Sequence, residues 1–181
     1  MSEPVSPEFP RPVAVDRLGS RETRMTVTAT PEECAALAKR YGILAVDSLT
    51  ARLRLRRLSG SGLIRLTGTL SASVAQACVV TLEPVPEQVE ESFEMLYGVN
   101  KDADDMEVLV HFDEVDPPEP IEHGEIDVGE AVAEHLALGL EPFPRRAGAV
   151  FEPMAEEEEV EDEPATPNPF AALVNLKQKD R

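Results

Sequence analysis

The segment from Leu49 to Arg56 alternates without a break. Leu49, Ala51, Leu53 and Leu55 are apolar, and Thr50, Arg52, Arg54 and Arg56 are not. Side chains of a strand project to opposite faces with a period of two, so this segment is a half-buried strand with an arginine face. Its apolar face has to be covered by other elements. Gly60-Ser61-Gly62 then marks a turn. The stretch from Leu63 to Leu82 is rich in Thr, Ser and Val and reads as a second strand, with Gly68 expected at a bulge or bend. Odd positions 85, 89, 93, 95 and 97 carry Val, Val, Phe, Met and Tyr. They predict a long strand ending near Tyr97, although Glu87 and Glu91 interrupt the pattern. Met25, Val27 and Ala29 predict a further short strand. So do Val108 and Val110, through His111.

Two segments carry helix-start chemistry. Thr30-Pro31-Glu32-Glu33 offers an N-cap threonine, a proline at the first helical position and a glutamate at the capping-box position. It predicts a helix over 31–41 that ends at Gly42, with Cys34, Leu37 and Tyr41 on one face. Asp127 is a second cap, with Glu130 at its box position, for a helix over about 128–139 stopped by Gly139 or Pro142. Val128, Val132, His135, Leu136 and Leu140 populate one side of it. The fold expected is α+β: a curved or barrel-like antiparallel sheet of about five to seven strands with these two helices packed against it. The expected core is Val27, Leu37, Leu53, Leu55, Leu66, Leu70, Val89, Phe93, Val110, Val132 and Leu136.

The chain has 181 residues, 16 of them proline, and a formal charge of −18. That charge excludes a uniformly basic nucleic-acid binder. It is unevenly distributed: residues 1–65 hold 11 basic and 7 acidic side chains, and residues 66–181 hold 6 and 28. The expected organisation is a flexible arm over 1–11, a single α+β domain over 12–151, an acidic disordered linker over 152–167 and a short amphipathic helix over 168–181. Repulsion within Glu156–Glu159 and Glu161–Glu163 disfavours compaction of the linker. In the terminal segment Asn168 caps, Pro169 takes the first helical position, Phe170, Leu173, Val174 and Leu176 form an apolar side, and Lys177 suits the C-terminal end. Such a helix either docks on its own domain or binds a partner in a groove. No apolar run approaches the length of a membrane span, and the N-terminus lacks a signal-peptide pattern. The expectation is a soluble cytoplasmic protein.

The search for catalytic chemistry is negative. There is no glycine-rich phosphate loop and no nucleophile elbow. His111, His123 and His135 form no HExxH-type pair. Cys34 and Cys78 cannot build a four-ligand zinc site, and nothing near Cys78 in the sequence lowers its pKa. Asp102, Asp104, Asp105 and Glu107 lack the glycine and the final glutamate of a calcium loop. No catalytic residue, metal or cofactor is expected.

The positive signal is basic. Arg52, Arg54 and Arg56 share one strand face, and Arg57 and Arg65 extend the set. Guanidinium groups bind phosphate in a bidentate manner, so this face is a candidate for RNA or partner contact. The bland alternative is a solvated face paired with the protein's own Glu87, Glu90, Glu91 and Glu94. No aromatic residue interleaves with the arginines, so a base-stacking platform is not expected.

Three blocks give a resemblance to a known family: Cys78-Val79-Val80-Thr81-Leu82-Glu83-Pro84-Val85; Gly124-Glu125-Ile126-Asp127-Val128-Gly129-Glu130 with its following helix and Glu141-Pro142-Phe143-Pro144; and Asn168-Pro169-Phe170-Ala171-Ala172-Leu173. Together they resemble the YceD-like family, named large ribosomal RNA subunit accumulation protein. Many members place two cysteines three apart in the first block and another pair after the helix. Here Thr81 stands at the second position and the later pair is missing, as in cysteine-poor alphaproteobacterial-type members, so metal binding does not carry over. The resemblance implies a non-enzymatic cytoplasmic factor promoting large-subunit (23S) ribosomal RNA accumulation or processing during ribosome assembly. Its partners would be precursor ribosomal RNA, a ribosomal protein or an assembly factor, with no DNA and no membrane. The alternative is a protein-binding adaptor that works through Asn168, Pro169, Phe170, Leu173, Leu176 and Lys177 and affects RNA indirectly.

Overall fold

The structure, a computed structural model, describes residues 7–19, 21–98 and 117–150. The chain divides after Ala149, and the fold below is that of the preceding unit. The strand expected over 108–111, with Val110, and the terminal helix over 168–181 lie outside the described residues.

Among the described residues, seven strands and two helices follow in order: β1 (Pro12–Ala14), β2 (Thr23–Thr28), α1 (Pro31–Tyr41), β3 (Ala45–Arg57), β4 (Ile64–Ala77), β5 (Pro84–Gly98), β6 (Glu119–Pro120), β7 (Glu125–Asp127) and α2 (Val128–Gly139). A 3-10 turn, Val15–Arg17, follows β1. Strands β2-β3-β4-β5-β6 form one sheet, antiparallel except for the β5–β6 pair, and β1 pairs with β7 in a separate two-stranded ribbon.

The curved or barrel-like sheet is therefore corrected to an open one. Among the described residues its two edges are β2 and the two-residue β6, and no strand pairing joins them. Bulges bend sheets, and the long β3–β4–β5 ladders carry one register shift, between Val46 and Ser48. Gly68 is not a bulge either. It pairs in regular register with Leu53 on one side and Phe93 on the other, and a Cβ there would run into the Phe93 ring and the Leu53 side chain. The glycine makes room for an aromatic ring.

Local chemistry explains both helices. At α1, Thr30 Oγ1 accepts from the Glu33 amide while the Glu33 carboxylate accepts from the Thr30 amide, closing the capping box. Gly42 ends the helix at φ 66°, a left-handed conformation that glycine adopts without a Cβ penalty. At α2, Asp127 Oδ1 accepts from the Gly129 and Glu130 amides. Glu130 does not close a box there. Its carboxylate binds Arg40 of α1, which also reaches Glu8.

Both helices cover one face of the large sheet, α1 against β3 and α2 against β5 and β4. Beneath them lie Leu53, Leu55, Leu66, Leu70, Val89 and Phe93, facing Leu37, Val132 and Leu136, all buried. Val27 is buried as well, so every expected core residue within the described chain is in the core. Phe9 joins them at 0% exposure. The segment carrying Phe9 is fixed over the start of α2: the Arg11 amide donates to Asp127, the Val128 amide donates to the Arg11 carbonyl, and the Arg11 guanidinium lies over the Phe9 ring and pairs with Glu33. Gly129 permits this approach, because a Cβ there would overlap the Phe9 carbonyl oxygen.

Candidate functional site

Among the described residues, no helix covers the opposite face of the large sheet. Strand registers place its side chains in rows across β2, β3, β4 and β5: Arg24, Arg54, Thr67 and Glu94; then Thr26, Arg52, Thr69 and Ser92; then Thr28, Thr50, Ser71 and Glu90. Arg56 stands opposite Arg65 in the row before these. Hydrogen bonds between Thr28 and Thr50, and from Gln88 to Ser73, run along this same surface. The outer face is thus basic along β2, β3 and one end of β4, and acidic along β5.

The arginines fall into three kinds. Arg52, Arg54 and Arg56 are exposed and make no ion pair among the described residues. Arg65 pairs with Glu94 at 3.1 Å, and Arg24 pairs with Glu22 at 2.6 Å. The hydrogen bond from Arg24 holds the Glu22 carboxyl below its usual range, helped by the fields of Arg54 and Arg56. Arg57 stands apart. It is half-buried, shares the parity of Leu53 and Leu55, and donates to the carbonyls of Leu18 and Val15. It pins the Val15–Leu18 segment to the end of β3. Of the expected glutamate partners, Glu94 takes Arg65, while Glu87 and Glu91 have the odd parity of the helix-covered face.

Arg24 was not among the residues singled out by sequence. Its signal was present, since it alternates with Met25 and Val27 on the polar side of β2, but only the β2–β3 register sets it opposite Arg54.

On the helix-covered side, an acidic cleft of about 430 Å³ opens between β5, β6, β7 and α2, lined among others by Tyr97, Glu119, Glu125 and Glu134. Burial raises the Glu134 carboxyl, and the charges of Glu130 and Glu119 add to it. The arginine ridge and this cleft therefore lie on opposite sides of one sheet, with β5 acidic on the ridge side as well.

Cys78 has an environment that the sequence did not reveal. It is fully buried after β4, at the start of a tight turn in which Leu82 adopts φ 60°. The Arg146 amide donates to Sγ at 3.4 Å and the Thr81 amide at 3.5 Å. These donors pull the thiol down to about 6 despite burial. Arg146 also pairs with Glu83, and the Val79 amide donates to Pro144, so the two loops are joined. Burial raises the Cys34 thiol instead. Among the described residues no group of three or more His, Cys, Asp or Glu side chains is arranged to hold a metal ion, and no helix is long and apolar enough to cross a membrane.

The described residues thus form an open α+β sheet with helices on one face and, on the other, an arginine ridge with no ion-pair partner among them. A family model described as large ribosomal RNA subunit accumulation protein YceD matches residues 66–177, and the chain belongs to that family. The family name points to a role in accumulation of the large-subunit ribosomal RNA. No curated protein and no solved structure matches the chain.

Proposed function

We propose that this protein is a non-enzymatic cytoplasmic factor that promotes accumulation or processing of 23S ribosomal RNA during large-subunit assembly, and that Arg52, Arg54 and Arg56 form the centre of its RNA contact. Family membership supplies the process. The observation that carries the contact is that these three exposed guanidinium groups have no carboxylate partner among the described residues, although the chain carries a net charge of −18. In so acidic a protein, an unneutralised basic ridge is suited to an external anion. The acidic side of the sheet then orients the encounter, because phosphate approaching from the helix-covered side meets the carboxylates of the cleft. Arg65 and Arg24 flank the ridge, each held by one carboxylate at the margin. Arg57, committed to backbone carbonyls, supports the ridge rather than touching RNA.

Two measurements test this. Purified protein is expected to bind precursor large-subunit RNA with an affinity that falls steeply with salt. In cell extracts it is expected to co-migrate with large-subunit particles in a density gradient. Failure of both sinks the reading.

A further inference from the structure

We propose that the arginine array recognises double-helical RNA through its phosphate backbone, in preference to a single strand. This rests on the reading that the outer sheet face meets RNA.

The first support is the arrangement of charge. Arg24 stands directly opposite Arg54, and Arg56 directly opposite Arg65. In each pair one member is held by a carboxylate, Arg24 by Glu22 and Arg65 by Glu94, while Arg54 and Arg56 face a like charge and have no carboxylate partner among the described residues, so the sheet gives these two no stabilising contact. It serves an anion from outside. The second support is its shape. Arg52 to Arg56 extends about 13 Å along β3, and β2 to β4 spans about 10 Å across the strands. The array is a compact two-dimensional field on a regular ladder. A duplex offers phosphates fixed in two dimensions across a groove, whereas a flexible single strand offers them along one line.

The third support is the surface between the guanidinium groups. Binding of single strands relies on aromatic side chains that stack bases. Among the described residues Phe9, Phe93 and Tyr97 are buried in the core, the Tyr41 hydroxyl donates to the Ala133 carbonyl of α2, and the exposed Phe143 lies after α2 in the segment bonded to Val79 beyond the end of β4, outside the rows that carry the arginines. The face itself carries Thr26, Thr67 and Thr69 beside the arginines. Hydroxyl and guanidinium groups are what reads 2′-hydroxyls and phosphates across the wide, shallow minor groove of an A-form helix. Finally, Glu90 and Glu94 on β5 form an acidic border on this face. That border confines the footprint to β2, β3 and β4.

The test uses the full chain and three probes: an RNA hairpin of about 16 base pairs, an unstructured RNA strand with the same number of phosphates, and poly-glutamate. Binding is followed by fluorescence anisotropy at several salt concentrations. The hairpin is expected to bind about ten-fold tighter than the single strand. The Arg52→Gln/Arg54→Gln/Arg56→Gln variant is expected to lose about ten-fold or more for the hairpin, with a salt slope shallower by about 2–3. A charge-matched control, Arg17→Gln/Lys39→Gln/Arg145→Gln, keeps the hairpin affinity. Equal or tighter binding of the single strand through the same arginines overturns the duplex preference and leaves the RNA reading standing. Poly-glutamate binding as tightly as the hairpin overturns it in favour of an acidic protein partner. No binding of either RNA, or hairpin binding untouched by the triple variant, overturns the proposed RNA contact as well. Unchanged thermal melting of both variants certifies that they are folded.

Discussion

The imidazole of His135 lies parallel to the phenyl ring of Phe93, with centroids 4.1 Å apart and planes 11° from parallel. This contact joins α2 to β5 on the helix-covered face. Burial lowers the His135 pKa, with the carboxylate of Glu91 opposing the shift. A folded-state pKa below the unfolded one means that the folded protein resists protonation. The stability associated with neutral His135 is present above the unfolded value of about 6.5 and is lost as pH falls through the lower folded value.

Replacing His135 with Phe keeps the stack and removes the proton. The urea midpoint of the parent is expected to fall more than that of His135→Phe between pH 7.5 and pH 5. Parallel curves for the two proteins would show that the imidazole titrates as it does in the unfolded chain.

Gly68 and Phe93 are cross-strand neighbours, and the ring occupies the space a Cβ would need. Glycine within a strand is ordinarily worse than alanine by about 0.5–1 kcal/mol. Here the sign is reversed: Gly68→Ala is expected to destabilise by about 1–3 kcal/mol through overpacking. In a Phe93→Leu background the same change should cost much less. Chemical denaturation of the four proteins in this cycle measures the coupling.

Asp127 caps α2 and also accepts the Arg11 amide, so one carboxylate holds both the helix and the N-terminal segment. Asp127→Ala is expected to cost about 1–2 kcal/mol. Asp127→Asn, which keeps an acceptor oxygen, should cost less. Gly129→Ala places a methyl group against the Phe9 carbonyl and is expected to release residues near Phe9. Hydrogen exchange at the Arg11 and Val128 amides reads that release.

Cys78 is held at about 6 by the Arg146 and Thr81 amides, while Cys34 is raised by burial. The thiolate absorbance of the folded protein is expected to show one step near pH 6. Cys78→Ser removes it and Cys34→Ser keeps it. A depressed folded pKa also gives the stability sign: the advantage of the parent over Cys78→Ser is full above the unfolded thiol pKa and is lost as pH falls through about 6. Denaturation midpoints of the two proteins at pH 5, 7 and 9 should diverge with rising pH.

Arg54 faces Arg24 across the β2–β3 ladder and has no carboxylate partner among the described residues. Arg54→Gln is expected to change stability by no more than about 0.5 kcal/mol, or to raise it at low salt as repulsion is relieved. Thermal melts at low and high salt check this. A loss of more than 1 kcal/mol would mean that the arginine serves the fold.

Local chemistry was legible in the chain. The capping box at Thr30, the cap at Asp127 and the alternation through Arg56 each depend on residues a few positions apart, and they gave helix spans that agree with the structure and strands on the right faces. The barrel-like sheet was misjudged because closure depends on whether the edges β2 and β6 meet, and no periodicity encodes that. Gly68 was misread for a related reason: the same residue suits a bulge or a neighbouring ring, and only the Phe93 register distinguishes them.

For the site, the sequence determined that Arg52, Arg54 and Arg56 share one face, because the geometry of a single strand requires it. Tertiary structure decided everything that joins distant residues. It added Arg24 through strand pairing, assigned Arg65 to Glu94, turned Arg57 to the carbonyls of Val15 and Leu18, and brought the Arg146 amide to Cys78 from 68 positions away. Period and capping are set by neighbours along the chain, whereas charge pairing and thiol pKa are set by neighbours in space.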